Sequence, residues 1–202
     1  MKIKRLRRAF FQRKTINVAR ELLGKYLVVW NESRRQTLVG KIVETEAYCG
    51  QKDKACHASW RKRQSCEVLW GEAGHLYVYL TYGMHWLVNI VTEKRNYPAA
   101  VLIRAIEPIG GVSFMAENRG AVPNKVSIGN GPGKLTKALG ISGSLNGEDL
   151  EDSRRVWVED RGIIYSRAII SHSPRIGIDY AGAYKNKLWR FFIKQNPFVS
   201  RP

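Results

Sequence analysis

Cysteine is scarce in this sequence and carries no pattern. Cys49, Cys56 and Cys66 are odd in number, and no two of them form a C-x-x-C pair. Structural zinc draws on tighter ligand pairs, and Cys56-His57 has no second pair at a useful distance, so no metal site is expected. The expectation is free thiols in a reducing compartment. Long apolar runs are also missing. The longest are far too short to cross a bilayer and no secretory signal pattern is present, so a soluble intracellular protein is expected. There is no internal repeat, no low-complexity tract and no convincing linker. Acidic residues are the other shortage: 17 Asp+Glu stand against 34 Lys+Arg, a net charge of +17.

That imbalance speaks of partners and not of fold. Nucleic acid is the first polyanion to consider and an anionic membrane surface the second. A membrane-surface chain shows a basic amphipathic helix with bulky apolar residues opposite. Here the cations are scattered along the whole chain, as on a surface that follows phosphates. A basic protein from a basic proteome is the plain alternative. With 202 residues and 44% hydrophobic content, the chain can build one large domain or two very small ones, and one domain over 1–202 is the expectation.

Met1 to Lys14 holds many cations and a Phe10-Phe11 pair, and reads as a basic arm, frayed or laid along a polyanion. Thr15 to Leu23 predicts a helix, capped by Thr15 and ended by Gly24. Lys25 to Trp30 and Thr37 to Tyr48 predict a hairpin about a polar turn. Gln51 to Cys66 reads as a surface loop or loose helix. His75 to Val91 alternates and is rich in aromatics, which predicts strands with a turn at Tyr82-Gly83. Ala99 to Ile106 is an apolar strand holding one charge, Arg104, then a turn over Glu107 to Gly111 and a short helix from Val112 to Asn118. Gly129-Asn130-Gly131-Pro132-Gly133-Lys134 is a glycine-rich turn into a helix ending at Leu139. It matches neither a P-loop nor a dinucleotide fingerprint, though its backbone N–H groups could hold one phosphate. Val156 to Glu159 and Leu188 to Ile193 are further strands. Hairpins mixed with scattered helices argue for an α+β fold and against a βαβ array.

The chemistry concentrates in Val43-Glu44-Thr45-Glu46-Ala47-Tyr48. On a strand, Glu44, Glu46 and Tyr48 share one face and Val43, Thr45 and Ala47 the other. A carboxylate facing inward costs free energy unless paired or used. A solvated face is the ordinary reading of a single Glu; with two acids and a ring beside an apolar strand, the two readings weigh evenly. Tyr77, Tyr79 and Tyr82 are the second cluster. Alone they suit a half-buried sheet surface. Beside paired acids and a strongly basic chain they suit stacking on bases taken out of a duplex.

These stretches resemble a known family. Val43-Glu44-Thr45-Glu46-Ala47-Tyr48, Asp53, Ala55-Cys56-His57 and Gly74-His75-Leu76-Tyr77-Val78-Tyr79-Leu80-Thr81-Tyr82-Gly83-Met84 look like the alkyladenine DNA glycosylases, the 3-methyladenine DNA glycosylases of the human type. Asn89, Leu102-Ile103-Arg104-Ala105-Ile106-Glu107-Pro108, Asn130-Gly131-Pro132-Gly133-Lys134-Leu135 and Arg175-Ile176-Gly177 continue the match in order, from about Ala19 to near the C-terminus. The resemblance implies a curved, mostly antiparallel sheet with a protruding β-hairpin and surrounding helices. It implies Glu46 as the acid that activates water, and Arg104 near that water and the target phosphate. Tyr48, His57 and Tyr79 would sandwich the base, Asn89 would floor the pocket against the amine of guanine, and the Ile176 carbonyl would accept from the water. Tyr82 would wedge into the duplex, and Met84 and Lys134 would meet the DNA backbone. One departure is Leu69-Trp70, where the family usually has Met-Phe.

The implied activity is excision of alkylated or deaminated purines (3-methyladenine, 7-methylguanine, hypoxanthine, ethenoadenine) from double-stranded DNA, with no cofactor and no metal. The matched positions offer no lysine nucleophile, so water attacks and an abasic site is the product. A positively charged lesion gains a cation–π contact with the rings. His57 is a candidate acid for neutral lesions, and Arg104 a candidate to keep Glu46 ionised. Glu44 has no matched role and suits a structural partner of an arginine. A non-catalytic nucleic-acid-binding module on a similar fold is the alternative, and a hydrolase of free nucleosides a third. A monomer is expected, in the cytoplasm with the nucleoid if bacterial, or in the nucleus if eukaryotic.

Overall fold

A computed structural model describes residues 3–120 and 124–201. Strands β1 (Lys4–Arg5), β2 (Tyr26–Asn31), β3 (Gln36–Cys49), β4 (Leu76–Thr81), β5 (His85–Thr92), β6 (Ala99–Gly110), β7 (Val156–Asp160), β8 (Ile170–Ser173) and β9 (Arg190–Ile193) form one sheet. Its path is β1-β7-β2-β3-β6-β5-β4, with β9 on β3 and β8 on β9, and every pairing is antiparallel. The sheet does not close into a barrel. The fold is α+β, as the hairpin pattern predicts. None of the helices among the described residues is long and apolar enough to cross a membrane.

The two-residue period divides the sheet into two faces. Leu76, Val78, Val88, Ile90, Val101, Ile103, Val43 and Ala47 lie in the main core. Against them pack helices α1 (Arg8–Phe11), α2 (Thr15–Glu21), α3 (Val112–Arg119), α4 (Val126–Gly129) and α5 (Pro132–Leu139). Phe11, Leu22, Met115, Leu135 and Leu139 are among the largest side chains sealed in this layer. Each such burial contributes about 1.5–3 kcal/mol. The opposite face carries Tyr48, Tyr77, Tyr79, Val91 and Ala100 over a smaller apolar cluster with Cys56, Cys66 and Leu69.

β3 is the spine. Its first half pairs with β2, its second half with β9, and β6 runs along its other edge. The β3–β6 register slips between Ile42 and Glu44 and again between Glu44 and Thr45. Val43 is thus extra on β3 and Arg104 extra on β6. Successive bulges twist the ladder and re-aim side chains.

Several expected elements differ. Phe11 and Leu6 are buried in the core, Lys4–Arg5 pairs with β7, and Arg8 meets Asp149 at 2.5 Å, so most of the supposed basic arm is fastened down. Thr15 is the first helical residue and does not cap; its N–H donates to Glu93 Oε1 at 2.8 Å, so the cap comes from a distant side chain. Glu107 and Pro108 continue β6 instead of turning, because Glu107 faces Lys41 across the ladder with an ion pair of 2.5 Å. Pro108 is tolerated where the ladder is irregular. The Gln51–Cys66 stretch is less superficial than expected: Asp53, Ala55, Cys56 and Cys66 are buried and its 3₁₀ turns form a wall over the second face.

Candidate active site

One row of side chains runs across the second face. The registers place Tyr77 opposite Asn89, Asn89 opposite Leu102, Leu102 opposite Glu46, and Glu46 opposite Arg190. Directly opposed residues share a face, so five strands deliver these groups together. Over the row lies a cleft of about 1350 Å³, lined by Tyr48, His57, Tyr77, Tyr79, Tyr82, Asn89, Leu102, Arg104 and Ile176, among others. That exceeds a typical small-ligand pocket of roughly 300–1,000 Å³ and suits an extended partner.

Glu46 has no exposed surface. Its Oε1 accepts from the Ile176 N–H at 2.7 Å, its Oε2 accepts from the Tyr48 hydroxyl at 2.8 Å, and Arg104 Nη1 stands 3.4 Å from Oε1. All three neighbours line the cleft, so the carboxylate lies one layer beneath its surface. An uncovered carboxylate inside a sheet is costly, and these donors offset that cost. Ile176 meets Glu46 through its N–H, a contact separate from the carbonyl that the resemblance implied as an acceptor for the water.

Glu44 is also fully buried and is an anchor for two arginines. Arg104 Nε donates to it at 3.0 Å and Arg190 Nε at 2.7 Å; the Ser200 N–H and hydroxyl complete its shell at 2.7 and 3.0 Å. Burial alone would lower the Arg104 pKa, but Glu46 and then Glu44 outweigh it and hold it above the ordinary value. Arg104 therefore bridges the two acids as a permanent cation.

Aromatic groups form the wall. The His57 and Tyr79 ring centres are 4.3 Å apart, edge to face, and Tyr77 and Tyr79 are stacked at 5.3 Å. His57 Nδ1 is 2.8 Å from the Tyr77 hydroxyl. Burial first, and Arg61 second, pull the His57 pKa down to about 4. Burial thus disfavours the charged imidazolium, which counts against the expected role of proton donor to a neutral base. Burial, then Glu46, raises the Tyr48 pKa well above the ordinary phenol, so Tyr48 remains a donor to Glu46.

A buried pair positions this wall. Arg175 forks onto Asp53 at 2.6 and 2.8 Å and donates to the Ala47 carbonyl at 2.9 Å. Asp53 also accepts from the Cys49 and Ala55 N–H groups, at 3.0 and 3.1 Å. This joins the loop that carries His57 to the segment that carries Ile176. The Arg175 guanidinium lies 4.7 Å from the Tyr48 ring centre.

The β4–β5 hairpin stands at the mouth. Met84 N–H donates to the Thr81 carbonyl at 3.1 Å, and the two residues between have φ of 50° at Tyr82 and 68° at Gly83. Tyr82 is 89% and Met84 69% exposed; Tyr82 lines the cleft, and Met84 stands at the hairpin tip. Lys134, on the first turn of α5, borders the cleft and donates to Asn130 at 2.8 Å. A Cβ at Gly133 would come 3.1 Å from the His85 side chain, a tight approach to which the exposed His85 would have to yield. Asn89 is buried on the floor, its Nδ2 donating to the Tyr77 carbonyl at 3.2 Å. Leu69 is buried in the wall, and Trp70 behind it carries Arg63 over its ring at 4.6 Å. The cysteines are free.

The lining contains Lys54, Arg61, Arg104, Arg119, Lys134 and Lys137 and, among the described residues, no carboxylate. Trp60, Arg61 and Tyr180 were not singled out in the sequence. The Arg61-Lys62-Arg63 run was the available signal, but charge in a loop does not show which side chain turns inward.

The family described as methylpurine-DNA glycosylase (MPG) matches residues 9–197. A protein of Natranaerobius thermophilus is 47% identical over 193 residues, covering 95% of this chain and 96% of its own. One from Methanocella arvoryzae is 48% identical over 196 residues, covering 97% and 96%. One from Legionella pneumophila is 42% identical over 199 residues, covering 98% and 100%. Each bears the name "Putative 3-methyladenine DNA glycosylase".

Proposed function

The chain belongs to the methylpurine-DNA glycosylase family and is a DNA glycosylase of base excision repair, and from that premise we propose that it hydrolyses the N-glycosidic bond of a damaged purine turned out of duplex DNA into this cleft. The substrates are alkylated or deaminated purines: 3-methyladenine, 7-methylguanine, hypoxanthine and ethenoadenine. The relatives' shared name supports the first of these. The protein acts as one domain and as a monomer.

In this reading the extruded base stacks against Tyr48, His57 and Tyr79 above the Asn89 floor, and the amide of Asn89 disfavours the exocyclic amine of guanine. Tyr82 fills the gap left in the duplex, and Met84 and Lys134 rest on the flanking backbone. Flipping costs a few kcal/mol, least for a damaged pair. Glu46 then takes a proton from water as the water oxygen bonds to C1′ of the sugar. The C1′–N bond breaks, its electron pair leaves with the purine, and an abasic site remains. Positive charge grows on the sugar in this step, and the same carboxylate stabilises it. A carboxylate offers about four acceptor directions. Ile176, Tyr48 and Arg104 take up three, so the water enters beside Tyr48 or Ile176 as DNA fills the cleft.

The observation that carries the reading is the cross-sheet row, which sets Glu46 and Asn89 in one line beneath an aromatic-walled, cation-lined cleft. The test is duplex DNA bearing a single hypoxanthine or ethenoadenine, treated with alkali after incubation. Wild type is expected to give strand breaks at the lesion, and Glu46→Gln to lose roughly a thousandfold in rate while still binding. Full activity in Glu46→Gln would remove Glu46 from the mechanism. Binding without abasic product on any purine lesion would leave a nucleic-acid-binding module.

A further inference from the structure

We propose that Arg61 is a specificity-determining residue of the base cleft: its unpaired guanidinium favours neutral purines that bring a hydrogen-bond acceptor, such as hypoxanthine, over formally cationic alkylpurines, whose charge it repels. The inference rests on the reading of the cleft as the seat of the flipped base and deepens it.

Three observations converge. The Arg61 guanidinium stands 5.6 Å from the ring centre of Tyr79 and 5.0 Å from that of Trp60. It lines the same cleft as Tyr48, His57 and Asn89. Its Nε is buried without a hydrogen-bond partner, and no ion pair to it occurs among the described residues. A guanidinium set beside aromatic rings, with its buried Nε left without an acceptor, is a site in want of one. Its field reaches His57, Tyr77 and Tyr79, each of whose pKa it lowers against the effect of burial or along with it.

The second stacking ring is arranged in a similar way. Arg175 stands 4.7 Å from the Tyr48 ring centre. Both proposed stacking tyrosines thus already have a guanidinium over them, which spends much of the attraction a cationic base would otherwise find there. Arg175 is neutralised by Asp53 at 2.6 Å; Arg61 has no such partner. A cationic lesion therefore meets an uncompensated like charge. The carbonyl or ring nitrogen of a neutral purine instead gains a charge-assisted hydrogen bond without that repulsion. A DNA phosphate could use the same donors, and the experiment separates the two sources.

The test compares single-turnover excision of hypoxanthine and of 7-methylguanine from otherwise identical duplexes by wild type, Arg61→Gln and Arg61→Lys, with thermal melts to confirm folding. The expected result for Arg61→Gln is a fall in the hypoxanthine-to-7-methylguanine rate ratio of about 10- to 100-fold, with the 7-methylguanine rate raised. Arg61→Lys, which keeps the charge and loses the fork, should fall between. An equal loss on both lesions with a shallower salt dependence would assign Arg61 to a phosphate and overturn the proposal. An unchanged ratio would make it a bystander and overturn it too. A wild-type protein that excises neither lesion would overturn the functional reading itself, and this inference with it.

Discussion

Two glutamates one residue apart on β3 illustrate how differently the same side chain can be used. Glu44 accepts from Arg104, Arg190 and both donors of Ser200; Glu46 accepts from one backbone N–H and one phenol, with Arg104 at 3.4 Å. Replacing Glu44 by Gln leaves one amide oxygen but strips the charge from beneath two buried arginines, and the other acceptors of Arg190, Ser173 Oγ and the Arg201 carbonyl, are neutral. Breaking a buried pair costs about 3–5 kcal/mol, because the orphaned cation stays desolvated. Replacing Glu46 by Gln leaves an acceptor for Ile176 and an amide that Tyr48 can accept from, while Arg104 retains Glu44. Chemical denaturation is therefore expected to show Glu44→Gln losing about 3 kcal/mol or more, and Glu46→Gln about 1 kcal/mol or less. Equal losses would mean that Glu46 is as structural as Glu44. His57 gives a second residue-scale lesson. The sequence made it a candidate acid, yet its burial against Tyr79 and Tyr77 disfavours the charged imidazolium.

At the scale of elements, the β4–β5 hairpin trades stability for position. Tyr82 holds φ at 50° and is 89% exposed. A left-handed backbone costs an L-residue roughly 1–2 kcal/mol, and a bulky aromatic gains nothing from packing at such exposure. Tyr82→Gly is expected to keep or raise the thermal midpoint, since relief of strain offsets the roughly 0.5–1 kcal/mol entropic cost of glycine. The same variant should lose at least about tenfold in excision if the ring replaces stacking worth about 1–3 kcal/mol. A variant that is less stable, or as active as wild type, would count against the strained wedge. The hairpins themselves were legible: the alternation over His75 to Val91 and the Gly-Pro start of α5 are local signals that the structure follows. What sequence could not supply is long-range. β1 and β8 are too short for periodicity, and the two bulges that aim Arg104 exist only in a pairing register. The cover over Glu46 comes from Ile176, 130 residues away, and the Asp53–Arg175 clamp spans 122.

For the whole molecule, the question is where a net charge of +17 resides. Most of the acids are engaged within the molecule: Glu44, Glu46 and Asp53 inside, and Glu107, Asp149, Glu151, Glu159 and Asp160 around the sheet, each facing an internal cation. The excess cations are left to the surface, and the cleft border receives Lys54, Arg119, Lys134 and Lys137 with no described acid among them. Lys134 and Lys137 lie three apart on the exposed side of α5, so they can follow one stretch of backbone. Each phosphate met by a lysine releases counterions and adds about 0.9 to the slope of log affinity against log salt on duplex DNA. Lys134→Gln is therefore expected to flatten the slope by about 1, and Lys134→Gln/Lys137→Gln by about 2, measured by anisotropy on undamaged duplex. Lys94, exposed but outside the cleft lining, is the control, and Lys94→Gln should leave the slope unchanged. If all three variants shifted it alike, duplex binding would be a property of the net charge and not of a path along the cleft, and the hairpin tip would have no fixed duplex to enter.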